Sequence, residues 1–367
     1  MRQLSIFIIF CWASVSWAQK GHSFEFGAHY GTLIKHREYI NIPVDQLPPT
    51  LGGEINWSYQ THGKRAWEAL ANYPEFGLIL SFQDFADPRL GWGLGLMPQL
   101  KFPFWRSGDW EIYGRLGMGV AYVSNYGNSF RNPDNNIIGS HWNNNTALRL
   151  GLQLPLSKQW LLQPSFSFTH YSNGASQFPN LGINAASLHL GLRYRPQALQ
   201  KEDYQAPQED YQPPKRWGIG FDLGLGMTEV RRTERGPKFA LYSAMLYGSY
   251  RYASTQTLRF GLLGEYHTGV EAFWLSNLTL TPEEARQKAQ RLLFWAGHEW
   301  LLGHIGLGLQ VGYYITEPVV KLPYTRGSIA YYPFSPLKHK HTPYLAVRIK
   351  AHGITADFFD LAIGLDF

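Results

Sequence analysis

The chain has 367 residues, and its 33 Lys and Arg against 27 Asp and Glu give a modest formal net charge of +6. That charge is spread out, with no basic block of the kind that marks a nucleic-acid partner, and a single cysteine excludes a disulfide framework. The 13 Trp, 22 Tyr, 22 Phe and 37 Gly occur in short alternating segments, with no long apolar run after the N-terminus. That pattern excludes helical membrane spans and predicts an all-β fold, an antiparallel transmembrane β-barrel with a polar lumen.

In chain order, Met1-Arg2 and the apolar run Leu4–Trp17 end in Ser16-Trp17-Ala18, a small-x-small cleavage pattern. Residues 1–18 are expected to be a signal peptide, with export to the cell outer membrane. Cys11 lies inside that segment, and Phe10 before it does not suit a lipoprotein signal, so the mature chain is expected to hold no cysteine.

Alternation predicts strands near 23–31, 52–60, 75–83, 90–101, 110–123, 146–155, 159–172 and 183–195, which together make a first barrel over 19–196. The polar, Pro-rich stretch 197–215 predicts a linker. Strands near 217–230, 239–252, 257–268, 290–300, 302–315, 325–333, 343–352 and 356–367 follow in a second half over 216–367. Eight strands per half fit tandem eight-stranded barrels or one sixteen-stranded barrel. If the first strand rises from the periplasm, connections after odd strands face outward and run long. The polar segment 124–142 fits this, whereas 84–89 is short for an outer loop and 61–74 long for a periplasmic turn. Thr281-Pro282-Glu283-Glu284 predicts a short N-capped helix in an outer loop. At the C-terminus Phe359, Leu361, Ile363, Leu365 and Phe367 share one phase, with Asp360, Gly364 and Asp366 in the other, as in a terminal outer-membrane strand ending on an aromatic residue.

Thr169-His170-Tyr171-Ser172-Asn173-Gly174 carries the chemistry. Side chains two apart on a strand share a face, so His170 and Ser172 continue the apolar row Trp160, Leu162, Pro164, Phe166, Phe168. The next strand repeats the pattern with Asn184, Ala186, Leu188, Leu190 and Leu192, while Ser187, His189 and Arg193 point the other way. A hairpin would bring His170, Ser172 and Asn184 together on the lipid-facing wall near the outer rim. Serine needs an adjacent base and an oriented imidazole. Ser172 is the candidate nucleophile, His170 the base and Asn184 the orienter. The Asn173 side chain, the Gly174 backbone N–H or the Asn180 side chain would donate to the oxyanion. No metal or cofactor is called for.

His170-Tyr171-Ser172-Asn173-Gly174, followed by Pro179-Asn180-Leu181-Gly182-Ile183-Asn184, resembles the signature of the outer-membrane lipid A 3-O-deacylase family. The resemblance implies an eight-stranded barrel over roughly 22–197 that removes the 3-position acyl chain of lipid A, with His170 as base and Ser172 as nucleophile. It also implies lipopolysaccharide as substrate. The family's acidic third member is a glutamate where this chain has Asn184; Glu75, Asp84 or Asp134 on other segments are the acidic substitutes to consider. Outer-membrane phospholipase A has a similar His-x-Ser-Asn-Gly stretch with an asparagine as third member, so a phospholipase A-like esterase is the alternative. A non-catalytic channel or structural barrel is the other.

In the second half, Lys350-Ala351-His352-Gly353-Ile354 loosely resembles the site region, but no serine follows His352. Arg348, Lys350 and His352 fall on the polar phase, which predicts lumen charges paired with Asp360 or Asp366.

Overall fold

A computed structural model describes residues 20–206, 216–229, 236–277, 279–316, 323–352 and 355–367, so the expected signal peptide lies outside the described residues. Sixteen antiparallel strands close into two barrels of eight, which settles the choice between tandem barrels and one wide one. The first holds β1 (His22–Leu33), β2 (Thr50–Gln60), β3 (Glu75–Asp84), β4 (Trp92–Ser107), β5 (Trp110–Val123), β6 (Trp142–Pro155), β7 (Trp160–Ser172) and β8 (Ile183–Tyr194). The second holds β9 (Trp217–Glu229), β10 (Lys238–Ala253), β11 (Gln256–His267), β12 (Gln290–Leu302), β13 (Ile305–Tyr314), β14 (Tyr324–Tyr331), β15 (Thr342–His352) and β16 (Thr355–Asp366). Each barrel closes on itself, β1 against β8 and β16 against β9, so neither leaves an unpaired edge.

The alternation sets the two faces. Outward rows such as Leu188, Leu190 and Leu192 on β8, or Leu361 and Ile363 on β16, stay exposed, and Leu188 is 68% exposed. So large an apolar belt is tolerated only against hydrocarbon. Inward residues are polar and meet across the lumen, as the small diameter of eight strands requires. Glu25 accepts from Arg115 and Glu54 from Arg149, while Lys101 reaches Glu75 at 3.0 Å and Glu111 at 2.6 Å. In the second barrel Arg348 donates to Asp222 at 2.6 Å and to Asp360 at 2.7 Å, and Lys350 donates to Glu265 at 2.6 Å. His352 is buried with its ring against Tyr314, so it sits inside the barrel as the phase predicts. Above the first network, Ile42, Val44, Phe85, Leu90, Val123, Ile137, Ile138 and Tyr171 form an apolar plug under the outer loops. Buried ion pairs thus cross both lumens, and this plug caps the first.

The two connections that break the outer-loop rule have separate explanations. The short one, Phe85–Gly91, is a tight turn whose Phe85 belongs to the plug. The long one carries helix α1 (Ala66–Leu70), whose Trp67 packs on Leu301 and Leu302 beside Gly303 in the β12–β13 turn. That loop therefore clasps the second barrel at the turn rim. At the loop rim Phe178 N–H donates to Glu229 at 2.6 Å, and Lys238 bonds the Ser176 carbonyl. The two barrels thus stand side by side, joined at both ends. The linker begins docked rather than free: Gln205 N–H bonds His62 carbonyl at 2.9 Å and Lys20 pairs with Asp203 at 2.7 Å. Two helices, α2 (Thr268–Ser276) and α3 (Pro282–Ala289), fill the β11–β12 loop, and Thr281 and Glu284 form the capping box that starts α3.

Candidate active site

β7 and β8 are paired so that His170 lies opposite Asn184. Both belong to outward rows, and the pairing brings His170 Nδ1 within 2.6 Å of Asn184 Oδ1. An amide oxygen only accepts, so the imidazole carries its proton on Nδ1 and leaves Nε2 as a free base; this tautomer is assigned from the bonding. Asn184 is itself held. Its Nδ2 donates to His36 Nδ1 at 2.9 Å, and His36 Nε2 donates to the Leu181 carbonyl at 3.0 Å. The sequence reading misses His36, which lies in the β1–β2 loop where no periodicity singles out one residue; only β1–β8 closure brings it here.

The site loop between β7 and β8 is fixed from behind. Leu181 and Gly182 N–H groups both bond the Ile137 carbonyl, and Ile138 bridges Asn180. Gly182 has φ +87°, and a Cβ there would sit 2.6 Å from His170 Cε1. Only glycine accepts both that backbone and that ring.

Ser172 lies two residues beyond His170 on the same row, is 1% exposed, and its Oγ has no hydrogen-bond partner among the described residues. A buried hydroxyl without a partner is unusual and calls for a reason. Of the three residues predicted to donate to an oxyanion, Asn180 keeps a free buried Nδ2 while its Oδ1 accepts from Asn173 N–H at 2.9 Å. The Asn173 side chain does not fit the prediction: its Nδ2 is spent on Ser140 Oγ and the Gln177 carbonyl, which shape the loop. Gly174 has φ +62° and lies directly under the ring of Phe359 from the second barrel. None of the acidic substitutes reaches His170. Glu75 is consumed inside the lumen by Lys101 and Arg193, Asp84 caps Ala86 N–H, and Asp134 lies near Arg89. The third member available to His170 is the asparagine.

Two family models match the chain: lipid A 3-O-deacylase over residues 51–193 and acyloxyacyl hydrolase, C-terminal domain, over 213–367. The first barrel carries the lipid A 3-O-deacylase domain. This deacylase is accordingly a carboxylic ester hydrolase and a protein of the outer membrane. Among solved structures it is similar to the outer membrane enzyme PagL, with 17% identity over 46% of this chain and 97% of that one at a TM-score of 0.31. It is also similar to Neisserial surface protein A, with 11% identity over 48% of this chain and 97% of that one at a TM-score of 0.32. No curated protein matches the sequence. In this deacylase the matched segment 51–193 contains His170, Ser172 and Asn184 and stops short of His36, which the fold alone brings to them.

Proposed function

We propose that the protein is a serine esterase that removes an ester-linked acyl chain of lipid A, the 3-position chain, from outer-leaflet lipopolysaccharide. The observation that carries this reading is the 2.6 Å bond from His170 Nδ1 to Asn184, beside a buried serine hydroxyl left without a partner. Ser172 Oγ attacks the ester carbonyl and its proton passes to His170 Nε2. The oxyanion is met by Asn180 Nδ2. Collapse expels the alcohol, which takes the proton from His170 and leaves an acyl-serine; water repeats the sequence and releases the fatty acid. A neutral amide steadies the imidazolium through its carbonyl dipole alone, and His36 keeps that carbonyl turned toward the ring.

Ser172 Oγ has no hydrogen-bond partner in the resting structure, and its bond to His170 forms in the substrate complex, where such catalytic bonds tighten. Mass spectrometry of lipid A and phospholipids from outer membranes carrying the protein or its Ser172→Ala variant tests the assignment. Loss of one lipid A acyl chain only with Ser172 present is expected. Lysophospholipids with intact lipid A would point to a phospholipase instead, and no difference in either pool would overturn the serine mechanism.

A further inference from the structure

Between the barrels runs an apolar groove of about 730 Å³. One wall is the outward face of β5 and β6, with Leu116, Met118 and Leu148, and the other is that of β13 to β16. Register sets its upper end within two strands of the site. Met118 pairs with Thr146 and Thr146 with His170, so groove and imidazole lie on one row. On the opposite wall Leu309, Gly327, Ile349 and Phe359 form a continuous row across four strands. Phe359 ends that row and covers Gly174, two residues past Ser172. Gly327 leaves a trough in the middle of the row, where an added Cβ meets only Ile349 Cγ2 at 3.6 Å. From there the groove descends to Leu70, Ala71 and Phe102 near the turn rim, where the Trp67 clasp fixes its width.

We infer that this groove is the acyl-chain subsite: the chain whose ester carbonyl meets Ser172 lies between the barrels, and the second barrel supplies one wall of the pocket. The occupant is an acyl chain because both walls are lipid-facing rows, the volume lies in the range of ligand pockets, and the paired row Met118, Thr146 and His170 leads from the groove to the esterase site. The second barrel then has a function in an enzyme whose reacting groups all lie in the first. It selects chain length, since each methylene lodged in a preformed apolar slot adds discrimination.

The inference rests on the serine-esterase reading, so the test separates the two. The full-length protein in detergent micelles is assayed on p-nitrophenyl butyrate and p-nitrophenyl palmitate, and the palmitate-to-butyrate ratio of kcat/KM is compared among variants. Gly327→Leu fills the trough and should lower that ratio on the order of tenfold. Leu223→Trp, on a lipid-facing stretch of β9 away from the groove, should leave it unchanged. Ile349→Cys, measured before and after coupling to an alkyl methanethiosulfonate, repeats the test on one folded sample, and coupling should lower the ratio. If Ser172→Ala hydrolyses both esters at the parent rate, the serine assignment fails. If hydrolysis depends on Ser172 but neither filling the trough nor alkylating the Ile349→Cys variant moves the ratio, the groove is not the acyl subsite.

Discussion

Replacing Asn184 by alanine removes the acceptor that faces His170 Nδ1 at 2.6 Å in a position that is 4% exposed. In the resting enzyme that bond is neutral. Once Nε2 takes the serine proton it becomes charge-assisted, and hydrogen bonds to charged groups contribute about 1.5–3 kcal/mol. At roughly 1.4 kcal/mol per tenfold in rate, Asn184→Ala should lower kcat about 10- to 150-fold. KM should change little, because Asn184 touches the imidazole and not the acyl chain. Asn184→Asp keeps an oxygen in place and adds a charge. Its attraction to the imidazolium, about 4 kcal/mol at 4 Å and an effective dielectric constant near 20, is offset by desolvation of a buried carboxylate, so it should recover most of what alanine loses. The assay is initial rates of fatty-acid release from lipopolysaccharide in detergent, with the heat-dependent shift in electrophoretic mobility confirming a folded barrel. A folded Asn184→Ala variant with kcat at the parent level would refute the orienting role.

His36→Ala removes a neutral bond of about 1 kcal/mol that holds the Asn184 amide, so a several-fold fall in kcat is expected from the same rates; no fall would mean that His36 does not steady the amide. Gly182→Ala combines strain at φ +87° with a Cβ 2.6 Å from His170 Cε1. A displacement near 1 Å costs on the order of 100-fold, and a variant of parent activity would show that the ring tolerates the shift. Arg348→Ala takes the close cation from both Asp222 and Asp360 in the second lumen, leaving Asp222 the Tyr344 hydroxyl and Asp360 the Ser243 hydroxyl with Arg326 at 3.9 Å. Stranding buried charges costs about 3–5 kcal/mol, so the urea midpoint of unfolding should fall clearly; an unmoved midpoint would show that water or rearrangement satisfies the pair.

All sixteen strands were legible because a strand in a membrane barrel faces lipid on one side and a polar lumen on the other, and that contrast is written at every second residue. The same phase put His170, Ser172 and Asn184 on the outer wall, Arg348, Lys350 and His352 inside, and the acid-capped start of α3 in its loop. Adjacent strands pair locally, so the hairpin that joins His170 to Asn184 was legible too. What the sequence left open was long-range. Closure into two barrels depends on β1 meeting β8 and β9 meeting β16, contacts with no local pattern. His36 reaches Asn184 only through the first closure. The commitment of the Asn173 side chain to its own loop depends on Ser140, brought there by the β5–β6 connection. The long turn-rim loop looked anomalous until Trp67 was seen against a turn of the other barrel. Side-chain period is a property of each strand and therefore of the sequence; which strands close, and what faces the site from the neighbouring barrel, is decided by packing between residues far apart in the chain.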